Sequence, residues 1–269
     1  MTKTVTAQAG GRATPAISAQ EIDLHYGPAR VLREVSFDID PGQVVGLVGE
    51  SGSGKSTLAK AIVGVERISA GTLTVLGEPA GAARGQSGYA LRRRVQLIPQ
   101  DPFSSLNPRR TIGQTIAEAI DPRRSSLAGH RDEIVALLER MQLSADSIDR
   151  LPHQFSGGQR QRIAIARALA VGPELIIADE ITSALDVSVQ AEILALLDEL
   201  LADSGITMLF ISHNLAVVSQ LCTDVMIMRS GELVEHGAVA EVFVRPAHPY
   251  TRRLLDSIPG SPGFSLERA

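Results

Sequence analysis

Residues 49–57 read Gly49-Glu50-Ser51-Gly52-Ser53-Gly54-Lys55-Ser56-Thr57. The pattern is G-x-x-x-x-G-K-[ST], and it lies between a continuous apolar run at residues 44–48 and a segment of helical spacing at 55–65. A backbone that wraps a polyphosphate needs glycines so that its N–H groups can turn inward, and a helix that follows offers its positive end to the same anion. In such a loop Lys55 bridges the β- and γ-phosphates and Ser56 ligates Mg²⁺. Gly49, Gly52, Ser53, Gly54 and Thr57 complete the cradle. A buried strand that runs through a glycine loop into a helix is also the opening unit of an α/β fold.

Working outward, residues 17–23 and 31–40 alternate apolar and polar side chains on either side of Gly27 and Pro28, the pattern of antiparallel strands. Residues 71–75, 95–98, 175–178, 208–212 and 224–228 are further strand candidates. Helical spacing recurs over 160–171 and 187–202. From 101 to 141 the chain is more polar, is broken at Pro102, Pro108 and Pro122, and reads as a separate helical subdomain. The alternation predicts an α/β core on a mostly parallel sheet, with an antiparallel β subdomain and an inserted α-helical subdomain. Ligands of such sheets sit beyond the carboxyl ends of the strands, so the chemical residues are expected there.

That expectation selects candidates. Asp179 and Glu180 close the apolar run 175–178. Asp179 suits a Mg²⁺ shell; because neighbours on a strand point apart, Glu180 is left to orient and polarise an attacking water. Gln100 follows the strand at 95–98, where an uncharged amide can coordinate Mg²⁺ and sense the γ-phosphate. His213 follows the strand at 208–212, where a ring nitrogen can bond the same phosphate. Tyr26 can stack on adenine. Ser156-Gly157-Gly158-Gln159 opens a helix with a hydroxyl and two glycines, a second phosphate cradle that lacks both a preceding strand and a lysine. One chain thus offers two half-sites for one triphosphate, which a two-fold dimer reconciles by setting each Lys55 loop against the partner's Ser156 turn. Read alone, Ser156 is equally a simple N-cap.

Composition narrows the function. The net charge is −4 and aromatics are 3% with no Trp, which argues against a nucleic-acid footprint or a base-stacking platform. A single cysteine, Cys222, excludes a disulfide framework, a Cys-only zinc site or an iron–sulfur cluster within this chain. No run approaches the apolar length of a membrane span, so any membrane role is expected to come through partners. Residues 1–15, rich in Thr, Ala and Gly, read as a disordered tail rather than a signal peptide.

These motifs, in this order, resemble the ABC transporter ATPases over nearly the whole chain. The resemblance implies a P-loop NTPase (RecA-like) core that binds ATP and Mg²⁺, with Lys55, Gln100, Glu180 and His213 in the catalytic set and Ser56, Gln100 and Asp179 on the metal. It makes Ser156, Gly157, Gly158 and Gln159 the signature that binds ATP in trans, residues 183–186 a dimer-contact loop with Ser183 and Asp186, and Tyr26 the adenine-stacking aromatic. Residues 100–109 and 248–255 resemble the oligopeptide, dipeptide and nickel importer branch. Phe155 and Ile181 stand where that family usually has Leu and Pro. The division implied is an ATPase domain at 16–245, with its helical subdomain at about 101–165, and a C-terminal extension at 246–269. The function implied is the ATP-hydrolysing subunit of a membrane importer of oligopeptides or dipeptides, peripheral on the cytoplasmic face of the inner membrane. Its implied partners are two transmembrane permease subunits, a second identical or homologous ATPase and, indirectly, an extracytoplasmic substrate-binding protein, with no nucleic acid. Import of nickel or another small solute stays open, as does a ribosome- or DNA-associated ATPase of the same fold, although the latter usually carry a second module or long insertions.

Overall fold

The computed structural model describes residues 14–81, 86–202 and 204–257; the expected tail lies outside them except for Thr14 and Pro15, as does the extension beyond residue 257. The chain begins with β1 (Ile17–Tyr26), β2 (Ala29–Ile39), β3 (Val44–Val48), α1 (Lys55–Ile62), β4 (Ala70–Val75), the short β5 (Glu78–Pro79), α2 (Gln86–Arg94) and β6 (Val95–Ile98). A helical stretch follows: α3 (Pro102–Ser105), α4 (Ile112–Ile120), α5 (Leu127–Arg140) and, after two 3₁₀ turns, α6 (Gly157–Leu169). The remainder is β7 (Leu175–Asp179), α7 (Val187–Ala202), β8 (Thr207–Ser212), α8 (Leu215–Leu221), β9 (Asp224–Arg229), β10 (Glu232–Ala238), α9 (Val239–Val244) and α10 (Pro249–Asp256).

Two sheets organise these elements. β2-β1-β4-β5 is antiparallel, and β10-β9-β3-β8-β7-β6 is parallel except for the antiparallel edge strand β10. The central strands are apolar throughout because both faces are covered. Along β8, Met208 and Phe210 join one hydrophobic cluster while Leu209 and Ile211 join the other. β7 divides in the same way, Ile176 and Ala178 against Leu175 and Ile177. One face packs on α1 and the antiparallel sheet, the other on α4 to α8. Each fully buried large side chain, Phe210 among them, contributes about 1.5–3 kcal/mol relative to exposure.

Local chemistry sets the ends of the elements. α1 stops at Ile62 rather than running on to 65, because Gly64 takes the left-handed conformation at φ 74°. α6 starts at Gly157, three residues before the apolar periodicity, because Ser156 caps it. α4 opens on a capping box, with Thr111 Oγ1 accepting from Gln114 N and Gln114 Oε1 accepting from Thr111 N.

The helical stretch is fastened to the core by Arg162 of α6, a 6% exposed side chain. Its guanidinium donates to the Met141 carbonyl (3.1 Å) and Gln142 Oε1 (2.6 Å) at the end of α5, and to Glu192 Oε2 (2.7 Å) on α7. Arg162→Ala removes this fork and strands the buried Met141 carbonyl, so it should lower unfolding stability by about 2 kcal/mol in urea titration.

Candidate functional site

The adjacent strands β3, β8, β7 and β6 end side by side, and the chain leaving each carries one group of candidates: the glycine loop, His213, Asp179 with Glu180, and Gln100. Tyr26, Gly52, Gly54, Lys55, Ser56, Thr57, Gln100 and Glu180 line one cleft of about 350 Å³. Val31 and Ser51 line it too. Neither stood out in the sequence, since a valine on an edge strand and a serine within a glycine loop carry no signal of their own.

The loop is built around a buried cation. Lys55 is 4% exposed, and its Nζ donates to the carbonyls of Gly49 (2.8 Å) and Glu50 (2.9 Å). Burial pulls the ammonium pKa down, while the carboxylates of Glu180, Asp179 and Glu50 oppose that pull. Glycine is required at two positions. A Cβ on Gly49 would meet the Met228 carbonyl oxygen at 2.1 Å, and Gly54, the N-cap of α1, sits at φ 107°. Ser53 Oγ is buried in the loop with no partner. An orphan hydroxyl, a buried ammonium bonded only to carbonyls and a backbone too tight for side chains together fit a polyphosphate.

Ser56 Oγ donates to Asp179 Oδ1 at 3.2 Å. A hydroxyl and a carboxylate oxygen this close are hard donors suited to Mg²⁺, which takes few protein ligands beside phosphate oxygens and water. Burial raises the Asp179 pKa, with the Ser56 bond opposing.

Glu180 lies beyond the end of β7, at φ 48°. The strand-alternation argument therefore does not describe it: its carboxylate is aimed by left-handed backbone at Glu180, whose N–H donates across to the Ile211 carbonyl of β8 at 2.9 Å. Glu180 Oε2 accepts from Gln100 Nε2 (3.2 Å) and lies 3.4 Å from His213 Nδ1. Gln100 Nε2 also reaches Ser183 Oγ at 3.4 Å, and Ser183 Oγ donates to the Glu180 carbonyl at 2.9 Å. Such a turn at a non-glycine residue costs on the order of 1 kcal/mol and is held by its surroundings. Tyr26, 44% exposed, stands at the rim beside Thr57 and Glu66, and its phenol pKa is raised by burial and by Glu66.

The Ser156 turn is not part of this cleft lining. Ser156 Oγ accepts from Gln159 N (3.3 Å) and Gln159 Oε1 accepts from Ser156 N (3.0 Å), a capping box, so the N-cap role is present. Ser156, Gly157 and Gln159 are exposed, and Gly158 is buried because its Cα packs on α7: a Cβ there would meet Val189 Cγ1 at 2.4 Å. Asp186 caps α7, accepting from Val189 N (2.9 Å) and Ser188 Oγ (2.7 Å), bonds that lower its pKa.

The family model described as ABC transporter matches residues 32–183. A putative peptide import ATP-binding protein of Brucella ovis is 44% identical over 261 residues, covering 95% of this chain and 82% of that protein. The oligopeptide transport ATP-binding protein OppF of Streptococcus mutans is 44% identical over 241 residues, covering 89% of this chain and 78% of that protein. The dimeric post-hydrolysis structure of the ATP-binding cassette MJ0796 bound to ADP and Pi superposes with a TM-score of 0.72 at 26% identity, covering 83% of this chain and 98% of that one.

The Asp179 shift has a stability consequence. A carboxyl whose pKa is raised in the fold binds its proton more tightly there than in the unfolded chain, so its ionisation costs stability at neutral pH, and the cost disappears as pH falls below the ordinary value of 3.8. Asp179→Asn should therefore raise the nucleotide-free melting midpoint at pH 7 by about 2 °C or more. The gain over wild type should shrink on acidification, as read by calorimetry across pH.

Proposed function

The chain belongs to the ABC transporter family, and from that premise we propose that it is the ATP-hydrolysing subunit of a peptide importer. The single observation that carries the ATPase half is that four adjacent strand ends bring together the glycine loop, the metal-type oxygen pair and the Glu180 carboxylate, which lines the cleft and is contacted by Gln100 and His213. The peptide half rests on relatives named for peptide and oligopeptide import.

In this reading the loop N–H groups, Ser53, Thr57 and Lys55 hold the triphosphate, and Lys55, with two of its three N–H donors on loop carbonyls, offers the third to the β- and γ-oxygens. Tyr26 faces the adenine. Ser56, Asp179 and Gln100 would hold Mg²⁺, which when bound supplies positive charge to the phosphate oxygens. Glu180 accepts a proton from water as the water oxygen attacks the γ-phosphorus; the bond from that phosphorus to the bridging oxygen breaks, and ADP leaves with the oxygen. Gln100 and His213, whose side chains contact the Glu180 carboxylate, turn to the γ-phosphate when it arrives.

The Ser156 turn and residues 183–186 serve a second ATPase, a copy or a homologue, completing each cleft in trans. That arrangement is supported by the dimeric relative and by the exposed side of the Ser156 turn, which does not line the cleft of its own chain. In this reading the two permease subunits are separate chains, with this subunit on their cytoplasmic face; among the described residues no helix is long and apolar enough to cross a membrane. Phe103, 48% exposed under the Arg160 guanidinium (4.9 Å), gives the segment after Gln100 an apolar knob for one of them. The functional division is an ATPase domain at 16–245, with its helical part at about 101–165, followed by the extension.

Glu180→Gln should bind ATP as wild type does and lose at least about 100-fold in turnover. Its capture with Mg-ATP from detergent-solubilised native membranes should recover two multi-spanning proteins. Wild-type turnover in Glu180→Gln, or capture of ribosomal proteins without permeases, would refute the assignment.

A further inference from the structure

The peptide joining Gly49 to Glu50 is held at both ends. Its carbonyl accepts from Lys55 Nζ at 2.8 Å, and its N–H donates to Tyr250 Oη at 3.1 Å. The second contact spans 200 residues of sequence and comes from α10. Tyr250 is 3% exposed, and its ring lies under the Arg229 guanidinium, 5.2 Å from ring centre to Cζ, at the end of β9.

The base that presents Tyr250 is itself fixed. Glu235 of β10 accepts from Ala247 N (2.7 Å) and His248 N (3.0 Å), and His248 Nδ1 caps α10 by accepting from Tyr250 N (3.1 Å). The β9–β10 turn braces the same loop from beside it, where Gly231 N–H donates to the Ser53 carbonyl at 2.9 Å. One connected set of bonds therefore runs from β10 through α10 into the glycine loop.

We propose that Tyr250 is a positioning residue for nucleotide binding: its hydroxyl fixes the N–H side of the Gly49–Glu50 peptide, so that the loop N–H groups keep their inward direction toward the phosphates. Lys55 Nζ holds the carbonyl side of this peptide and the phenol holds its N–H side. Released at the N–H side, the peptide can tilt and carry the adjoining N–H groups off their inward direction. The phenol's grip comes from an element that lies far along the chain and lines no part of the cleft. The inference rests on reading residues 49–57 as the phosphate loop.

The test uses the full chain and three proteins: wild type, Tyr250→Phe and Lys55→Ala. Phe keeps the ring under Arg229 and removes only the hydroxyl. Tyr250→Phe should weaken Mg-ATP about three- to tenfold in equilibrium titration, the size of one hydrogen bond. It should leave adenosine binding unchanged and speed amide exchange at Glu50 with no change in melting temperature. Wild-type ATP affinity and Glu50 exchange in Tyr250→Phe would overturn the proposal. If Lys55→Ala binds ATP like wild type, the phosphate-loop reading fails, and the proposal with it. Should Tyr250→Phe not fold, a chain carrying Tyr26→Phe and Tyr89→Phe retains Tyr250 alone of its three tyrosines. With 3-fluorotyrosine at that position, its ¹⁹F resonance should move on adding Mg-ATP, and a resonance that stays put would overturn the proposal.

Discussion

A buried ammonium must find acceptors, and much of this molecule follows from where Lys55 finds them. Its partners are carbonyls of the loop that precedes it, so the loop has to curl around the side chain. Curling demands left-handed backbone at Gly52 and Gly54 and brings Gly49 against the Met228 carbonyl. That approach fixes how closely β3 and β9 run, and with β3 placed, β8, β7 and β6 follow in parallel register with their ends level. The carboxylates of Glu180, Asp179 and Glu50 temper its desolvation, Asp179 from the last position of β7. The geometry around the cleft is thus one solution to the problem of holding a charge where water is scarce.

Much of this was legible in the sequence because the central strands carry one signal twice. Residues buried on both faces are apolar without alternation, so 44–48, 175–178 and 208–212 read as strands from sequence, and the groups just past them read as candidates. β10 was not legible for the opposite reason. It is a half-exposed edge strand carrying Glu232, Glu235 and His236, and only its pairing with β9 makes it a strand. α2, with three arginines in its last turn, offered no apolar stripe to read.

Within the site, the identity of the residues was readable and their aim was not. Glu180 was placed by treating it as a strand residue, but the backbone turns left-handed there, and nothing in a glutamate announces a positive φ. Tyr250 shows the same limit at longer range. The sequence marked its neighbourhood through a resemblance, yet a hydrogen bond across the whole chain has no local periodicity to betray it. Ile181, where the family usually has proline, is a buried core residue, 2% exposed, in the turn after Glu180.

The tight meeting of Gly158 and Val189 has a consequence for how this surface can change over generations. α6 and α7 begin side by side, and there is no room for one added methyl group between them. A larger residue on α6 at this position therefore needs a smaller one on α7, so the two positions can change only together. The Ser156 turn and the loop capped by Asp186 are thereby tied through their helices. A substitution that moves one of these surfaces moves the other with it.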